Sequence, residues 1–484
     1  MKELMSGLQA VVFSLLDSNV RIATGVPGFP ITEIMENIGK KIKHEWSVNE
    51  KIALEIVLGS SLMGVRGAVI TKHVGMNILS DPLVTSATHT IGAGVVIIAG
   101  DDAGVQKSQN EQDSRNYGLV AEVPVFDPST PETAYRSIME AFELSEKVSA
   151  PAIIRITDRF LKSEGNIERS IIRPEKVSFD KNIWQLTMLG KHQRFHKISF
   201  PRMCEYAESS TLNRFKIKGN VGIISSGYPS SLVESLYPGL SHLSLCVINP
   251  LPLDMINRFI DEHRHVLVVE ETEPVIERQL SRKVMGKLTG HMPYGIVEAV
   301  DIMEGIKNIS KGIVLQHISP QTIEKRGARP ICDDCPYLPL YKAVKELNVP
   351  VAGDLGCSIF TSAPPLSLID AAFSLGSSIS TASGFDRKGI AIIGDFGFAH
   401  SGIPGLVNAV QNYHEVVVIV LQNEVSAMTG GQSVPDLSGL ISSYIKDTEI
   451  IDPQADADLK CLLENKLKKK GICVIIARAK CPKY

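Results

Sequence analysis

Short runs of β-branched residues alternate with helical patterns along this chain, and each run tends to end in Gly, Pro or Asp. Such alternation predicts βαβ units on parallel sheets, in which ligands collect at the carboxyl ends of the strands. A chain of 484 residues is too long for one hydrophobic core, and its 44% hydrophobic and 21% charged residues are typical of a globular protein. We therefore predict an α/β protein with three blocks of parallel sheet.

The three blocks divide the chain into predicted domains. They are a first domain at 1–165, a connector without clear periodicity at 166–215, a second domain at 216–312 and a third at 313–484. The predicted strands are, in chain order, Gly67–Ile70, Val95–Ala99, Ala152–Arg155, Val221–Ile224, Leu243–Ile248, His265–Val269, Ile390–Ile393 and Val416–Leu421.

Charge and hydropathy exclude several classes of partner. The chain has 50 Lys and Arg residues against 53 Asp and Glu, so no basic excess is available to bind a nucleic-acid backbone. No apolar run approaches the length of a membrane span, and the N-terminus has no clear leader sequence, so we expect a cytoplasmic protein without a membrane anchor. Eight cysteines in a chain of this length do not predict a disulfide scaffold.

Two polar residues follow neighbouring predicted strands in the third domain. Asp395 follows the run Ile390–Ile393 after Gly394, and Asn423 follows Val416–Leu421 after Gln422. A right-handed crossover between parallel strands brings both residues to one edge of the sheet. A carboxylate, an amide oxygen and a backbone carbonyl suit a hard divalent cation that bridges a diphosphate. The alternative is that Asp395 caps a helix and Asn423 closes a turn.

The residues around Asp395 favour a metal and diphosphate site over a simple helix cap. Gly394 and Gly397 would let the backbone approach phosphate groups closely. The triplet Asp395-Phe396-Gly397 also spells a kinase motif, but the sequence has neither a His-Arg-Asp loop nor a glycine-rich nucleotide loop upstream. A Gly-Asp pair followed about thirty residues later by Asn resembles the signature of thiamine-diphosphate enzymes. That resemblance implies Mg²⁺ ligands at Asp395, Asn423 and Val425.

Further motifs extend the resemblance over nearly the whole chain. They are Trp46-Ser47-Val48-Asn49-Glu50-Lys51, Val74-Gly75-Met76-Asn77-Ile78-Leu79-Ser80-Asp81-Pro82, Cys332-Asp333-Asp334-Cys335-Pro336, His400-Ser401-Gly402-Ile403-Pro404-Gly405 and Thr429-Gly430-Gly431-Gln432. Together they resemble the large subunit of indolepyruvate:ferredoxin oxidoreductase, a branch of the 2-oxoacid:ferredoxin oxidoreductases. The resemblance implies a thiamine-diphosphate-binding architecture, with a pyrimidine-binding domain at 1–165, a transketolase C-terminal-like domain at 216–312 and a diphosphate-binding domain at 313–484.

The resemblance also implies roles for individual residues. Glu50 would be the carboxylate that hydrogen-bonds N1′ of thiamine, so that the C2 proton can be removed. From the sequence alone, Glu50 could equally be a first-turn acid behind an Asn49 helix cap. The expected cofactor contacts are Cys357, Gly394, Asp395, Phe396, Gly397, His400, Asn423, Val425, Met428, Thr429 and Gly430.

Four cysteines match the thiolates that hold a proximal 4Fe-4S cluster in the related pyruvate enzymes. They are Cys332, Cys335, Cys357 and Cys481. Four thiolates also suit zinc, although compact structural zinc sites usually offer a second Cys-x2-Cys pair, which is missing here. We favour the cluster over zinc, and either of them over thiols that bind no metal.

The implied reaction is the oxidative decarboxylation of an aryl 2-oxoacid to CO₂ and an acyl-coenzyme A, with electrons passing through the cluster to ferredoxin. A smaller β subunit and homodimerisation are expected, and Glu50 would meet Asp395 within one chain or across a dimer. Two departures, Tyr337-Leu338 in place of His-Arg and Phe29 in place of Thr, would reshape the substrate pocket. The chain stops three residues after Cys481, so electrons would leave through a separate subunit or carrier.

Two alternatives to this reaction remain. One is a thiamine-dependent decarboxylase or carboligase without a redox step. The other is a degenerate subunit that only supports assembly.

Overall fold

The computed structural model describes residues 2–171, 177–314, 331–455 and 458–484. The chain divides into two compact units, Met1–His317 and Ile318–Tyr484. Within the described ranges, no helix is both long enough and apolar enough to cross a bilayer.

The described strands of the first unit belong to three sheets. In chain order they are β1 (Lys2–Ser6), β2 (Ile22–Gly25), β3 (Lys43–Trp46), β4 (Gly67–Lys72), β5 (Val95–Asp101), β6 (Val125–Phe126), β7 (Ala152–Thr157), β8 (Glu164–Glu168), β9 (Arg214–Lys216), β10 (Val221–Ser226), β11 (Ser241–Leu245), β12 (Val247–Asn249) and β13 (His265–Val269). The largest sheet has seven strands in the spatial order β3, β2, β4, β5, β7, β6, β12. Its strands are parallel except β12, which runs antiparallel to β6.

The second sheet of this unit has four strands in the order β13, β10, β11, β9, with only β9 antiparallel. β1 and β8 form a separate antiparallel pair. The predicted strand Leu243–Ile248 is divided in the structure, because β11 ends at Leu245 in the second sheet and β12 begins at Val247 in the first. The side-chain oxygen of Asn213 accepts hydrogen bonds from the N–H groups of Cys246 and Val247, both at 2.9 Å, and stabilises this crossing point.

Helices cover the sheets of the first unit. They are α1 (Gly7–Asp17), α2 (Thr32–Asn37), α3 (Glu50–Leu62), α4 (His73–His89), α5 (Asn116–Ala121), α6 (Pro131–Val148), α7 (Asp158–Lys162), α8 (Lys181–Trp184), α9 (Met188–Arg194), α10 (Phe200–Ser209), α11 (Tyr228–Leu236), α12 (Leu253–Asp261) and α13 (Ala299–Lys307). The predicted connector contains β8, α8, α9, α10 and β9, and its side chains Phe195, Met203 and Ala207 are fully buried in the main core. The connector therefore packs as part of the first unit.

A buried cluster of charges links the two larger sheets of the first unit. The Arg115 guanidinium lies 2.6 Å from Asp113 Oδ2 and 2.9 Å from Glu270 Oε2, and Arg155 Nε lies 2.8 Å from Asp101 Oδ2. All five side chains are fully buried. Each charge is balanced by a partner, which is the condition for burying charges without a large loss of stability.

The second unit has one five-stranded sheet and a short hairpin. Its strands are β14 (Val351–Ala352), β15 (Gly389–Gly394), β16 (Val416–Gln422), β17 (Val425–Ser426), β18 (Gln432–Ser433), β19 (Thr448–Ile451) and β20 (Cys473–Arg478). The five-stranded sheet runs in the order β14, β15, β16, β20, β19 and is entirely parallel, while β17 and β18 form the antiparallel hairpin.

Helices lie on both faces of this sheet. They are α14 (Leu338–Glu346), α15 (Ser378–Ser383), α16 (Asp395–Gly397), α17 (Ile403–Gln411), α18 (Ser438–Tyr444) and α19 (Leu459–Lys468). Val417 and Ile419 of β16 pack into the core shared with α14 and α19, whereas Val416 and Val418 pack into the core shared with α15 and α17. The alternation explains why β16 reads as a continuous apolar run, since a central parallel strand is buried on both faces.

Candidate functional site

The carboxyl ends of four adjacent strands carry most of the predicted site residues of the second unit. β14 leads to Asp354 and Cys357, β15 to Asp395, β16 to Asn423, and β20 to Cys481. Because these strands are neighbours in the order β14, β15, β16, β20, the residues follow one another along one edge of the sheet. This is the edge at which ligands bind in open parallel sheets.

Asp395 is buried at the start of α16, and its carboxylate accepts three backbone hydrogen bonds. The donors are the N–H groups of Phe396 at 2.8 Å, Asn423 at 2.9 Å and Glu424 at 2.6 Å. Asn423 Oδ1 accepts the N–H of Val425 at 3.1 Å, so Asn423 does close a turn. Burial raises the pKa of Asp395 to about 6, although the three N–H groups lower it. A carboxylate has about four acceptor positions, so it retains capacity for a cation.

A second buried carboxylate, Asp354, belongs to the same edge and was missed by the sequence analysis. Its Oδ1 accepts the N–H of Gly376 at 2.6 Å, whereas its Oδ2 has no hydrogen-bond partner among the described residues. Gly397 lies directly against it, since a Cβ at that position would be 1.9 Å from Asp354 Oδ2. Burial raises the pKa of Asp354 to about 6. The only sequence signal for it is one Asp after a two-residue strand.

The remaining predicted diphosphate contacts lie in the helical turn after Asp395 and in the hairpin. His400 is buried in the π-helical turn Phe398–Gly402, with its Nδ1 2.7 Å from Ser401 Oγ. Space beside Gly394 is open, as it would need to be for a phosphate. In the hairpin, Thr429 Oγ1 is 2.7 Å from Ser426 Oγ.

The hairpin turn itself exposes two further predicted contacts. Gly430 has a φ of 120°, which favours glycine, and Met428 is half exposed.

The four predicted cluster cysteines are neighbours in the structure. Burial and the thiols of Cys481, Cys335 and Cys332 raise the pKa of Cys357 to about 11, and burial with Cys332 and Cys481 also raises the pKa of Cys335. All four are free thiols of intermediate exposure. Over the described ranges, no group of three or more His, Cys, Asp or Glu side chains is arranged to hold a metal ion.

Tyr337 lies close enough to both Asp395 and two of the cysteines to interact with them electrostatically. Its side chain is buried, and its hydroxyl donates to the carbonyl of Ala479 at 3.1 Å. Its pKa is raised by burial first, and then by the charges of Asp395, Cys335 and Cys481. The substituted residue is therefore part of the wall of this site.

The first unit contains Glu50 at a comparable edge. Glu50 is the first residue of α3, behind an Asn49 cap that accepts the N–H of Lys51 at 2.8 Å, and it is only 4% exposed. Its carboxylate lies against Gly75 in the first turn of α4, because a Cβ at Gly75 would be 2.6 Å from Glu50 Oε1. An acid that only complements a helix dipole would be solvated, so this burial favours a functional role.

Comparison with known proteins identifies the family of this chain. Residues 354–475 match the family model "Thiamine pyrophosphate enzyme, C-terminal TPP binding domain", a span that begins at Asp354 and includes Asp395 and Asn423. The chain is 34% identical to the indolepyruvate oxidoreductase subunit IorA of Methanothermobacter marburgensis, over 89% of this chain and 76% of that protein. The chain belongs to the IorA family. The IorA of Archaeoglobus fulgidus is 30% identical over 99% of this chain and 86% of its own length.

The fold agrees with the IorA relationship. A 2-oxoglutarate:ferredoxin oxidoreductase from Magnetococcus marinus, solved with 2-oxoglutarate, coenzyme A and succinyl-CoA bound, matches 59% of this chain and 61% of its own with a TM-score of 0.50 and 15% identity. The predicted α/β fold of the thiamine-diphosphate enzymes is confirmed, and so is the predicted class, a thiamine-diphosphate-dependent 2-oxoacid oxidoreductase.

Proposed function

We propose that this IorA-family chain is the thiamine-diphosphate-binding subunit of an enzyme that oxidatively decarboxylates an aryl 2-oxoacid resembling indolepyruvate. The products would be CO₂ and an acyl-coenzyme A, with electrons passing to ferredoxin. The observation that carries the proposal is the alignment of Cys357, Asp395, Asn423 and Cys481 at the carboxyl ends of four adjacent strands.

The residues of the second unit fit a metal diphosphate. Asp395, the amide oxygen of Asn423 and the carbonyl of Val425 supply hard oxygen donors, which are the ligands Mg²⁺ prefers. Asp354 Oδ2 is a buried acceptor without a donor among the described residues, and a buried acceptor of this kind is stabilised when a ligand supplies one. Open space beside Gly394 leaves room for a phosphate. Thiamine diphosphate, when bound, supplies the nucleophilic carbon that adds to the keto group and takes up electrons from the departing carboxylate.

Glu50 would hold the proton at N1′ of the pyrimidine ring, and its burial next to Gly75 fixes the direction of the carboxyl group. Cys332, Cys335, Cys357 and Cys481, as thiolates, would hold a 4Fe-4S cluster, which would supply single-electron transfer. Met428 in the hairpin turn is a candidate wall for an aryl group. A smaller partner subunit and homodimerisation would complete the enzyme.

Anaerobic reconstitution with iron, sulfide, thiamine diphosphate and Mg²⁺ tests this proposal. The reconstituted chain, co-expressed with its partner subunit, should bind iron and sulfide in equal amounts and consume indolepyruvate or phenylpyruvate faster than pyruvate. Zinc or empty thiols together with CO₂ release would instead indicate a non-redox decarboxylase. Absence of any thermal stabilisation by thiamine diphosphate and Mg²⁺ would indicate a subunit that only supports assembly.

A further inference from the structure

A group of exposed apolar side chains lies on the connector of the first unit. Trp184 at the end of α8, Leu186 in the following turn, and Met188 and Leu189 at the start of α9 are 52%, 38%, 62% and 65% exposed. Single exposed apolar residues are common on protein surfaces, but a continuous group of this kind marks an interaction site. These four residues are called the connector patch below.

Contacts beneath the connector patch hold it in place. The Trp184 ring packs edge-on against His89 at the end of α4, with the ring centroids 5.8 Å apart, and the Lys191 ammonium lies 4.2 Å from the Trp184 ring centroid. Leu186 folds back onto the first turn of α9, because a Cβ at Gly190 would be 3.4 Å from Leu186 Cβ. Both contacts join the residues before α9 to the helix that carries the rest of the patch. The aromatic member is therefore fixed before a partner binds, which lowers the entropic cost of binding.

Positive charge surrounds the connector patch. The segment 177–202 has five Lys and Arg residues and one Asp, whereas the whole chain has a formal net charge of −3. Lys181, Lys197 and Arg202 are exposed. Burial lowers the pKa of Arg194, and the charge of Arg202 lowers it further, so these two guanidinium groups are close together. The patch thus has an apolar centre and a basic rim.

Carboxylates near this segment offset only part of its charge. Asp180, the one acid of the segment, favours the charged form of Arg194 but also caps α8 by accepting the N–H of Asn182 at 2.9 Å. Glu122, from outside the segment, lies 3.4 Å from the ring of His196. The exposed cations of the rim therefore remain available to the acidic groups of a partner.

Two other occupants fit this surface less well than an acidic protein. In a twofold contact the same patch of each copy meets, so the basic rims of the two copies would face and repel each other. A helix that lies in a membrane surface buries a continuous apolar face, whereas α8 has four residues, α9 has seven and a turn separates them. A fixed Trp with apolar neighbours and a charged rim is instead the usual composition of a protein–protein interface.

We propose that the connector patch is the docking surface for the smaller partner subunit, and that the contacting face of that subunit has an apolar centre and an acidic rim. The inference rests on the proposed function, which includes such a subunit. Burial of Trp184, Met188 and Leu189 supplies the binding energy, while the basic rim orients the acidic groups of the partner and speeds association.

The test measures binding of the purified smaller subunit to the full chain reconstituted with thiamine diphosphate and Mg²⁺, by biolayer interferometry. The double variant Met188→Ser/Leu189→Ser should raise Kd about tenfold or more, because two apolar anchors are lost. The matched control is Val300→Ser/Met303→Ser, at two residues of α13 that are 59% and 53% exposed. Its Kd should stay within about twofold of the wild-type value.

A charge reversal tests the basic rim separately. Lys181→Glu/Lys197→Glu should raise Kd about tenfold at low salt, and its difference from the wild type should shrink in about 0.5 M salt, because salt screens exposed charges. Every variant should keep the wild-type rise in melting temperature with thiamine diphosphate and Mg²⁺, which shows that the variant is folded.

An unchanged Kd in Met188→Ser/Leu189→Ser would overturn the assignment, and so would a wild-type chain that does not bind the smaller subunit. If this variant instead loses a homodimer in light scattering, a second copy covers the patch; if it loses binding to phosphatidylglycerol vesicles, a membrane does. Either result with an unchanged Kd overturns the assignment. If the wild-type subunits form a complex that depends on the patch but turns over no 2-oxoacid, the proposed function fails and the docking surface stands.

Discussion

The carboxyl edges of the two large parallel sheets have similar backbone geometry but different chemistry. In the five-stranded sheet, the edge residue Asp395 accepts three backbone hydrogen bonds, and other strands of the same edge lead to free thiols. In the seven-stranded sheet, the edge carries the buried acid Glu50. The first set suits metal ions, while the second suits proton transfer. The residue type at each strand end therefore determines what chemistry each of the two sheet edges can support.

The largest expected effect concerns the acid of the seven-stranded edge. Glu50→Gln should lower turnover of the aryl 2-oxoacid about 1,000-fold, because the amide cannot exchange a proton with the pyrimidine ring. Stabilisation by thiamine diphosphate should persist, since the proposed diphosphate ligands, such as Asp395, belong to the other unit. The control Glu55→Gln, on the exposed face of the same helix, should keep its turnover within about twofold. Comparable losses in both variants would contradict a catalytic role for Glu50.

A pH experiment examines the buried carboxylate of the five-stranded edge. The pKa of Asp354 rises from 3.8 to about 6 on folding, so its contribution to stability is fully present below pH 3.8 and is lost as pH rises through 6. A pKa difference of about two between the folded and unfolded chain corresponds to about 3 kcal/mol of unfolding free energy. Relative to Asp354→Asn, the unliganded wild type should therefore lose stability between pH 4 and pH 7.5, measured as the difference in unfolding free energy. A difference that does not change with pH would show that Asp354 ionises normally.

The next largest expected effect concerns Asp395, the proposed metal ligand. Asp395→Ala should abolish stabilisation by thiamine diphosphate and Mg²⁺, which at a ligand concentration of 100 Kd amounts to about 2.7 kcal/mol. Asp386→Ala is a matched control, because Asp386 is exposed just before the amino end of the same strand. Differential scanning fluorimetry with and without cofactor measures both variants. A shift that survives in Asp395→Ala would show that the metal binds elsewhere.

The smallest expected effect concerns the hydroxyl group of Tyr337. Tyr337→Phe removes the hydrogen bond to the Ala479 carbonyl and should lower the unfolding free energy by about 1 kcal/mol. The ring remains in place, so the iron content after reconstitution should not change. A large loss of iron in this variant would instead give the hydroxyl a direct role at the cluster.

The sequence predicted the strands best where every residue of a strand is buried. β16 consists of the predicted run Val416–Leu421 and one further residue, Gln422. The run was recognisable because a central parallel strand must be apolar on both faces. The family and fold were also predictable, since the motif around Asp395 occurs at the ends of such runs. The break at Cys246 was not predictable, because it depends on hydrogen bonds that Cys246 and Val247 donate to the side-chain oxygen of Asn213, more than thirty residues away.

Long-range polar contacts explain what else was missed. The pairing of Arg115 with Glu270 joins residues 155 positions apart, and no local pattern indicates it. Asp354 is a single polar residue just after a two-residue strand, and its importance comes from what surrounds it in three dimensions. The helices of the connector were hidden because only a few of their side chains, such as Phe195, face the core.

The stoichiometry of the reaction tests the central claim most directly. The reconstituted enzyme with its partner subunit should be given indolepyruvate, coenzyme A and oxidised methyl viologen without oxygen, and CO₂ and reduced dye should be counted together. Oxidative decarboxylation predicts about two reduced viologens and one acyl-coenzyme A per CO₂, with both Glu50→Gln and Asp395→Ala inactive. Release of CO₂ with no reduced dye and accumulation of the aldehyde would contradict the account.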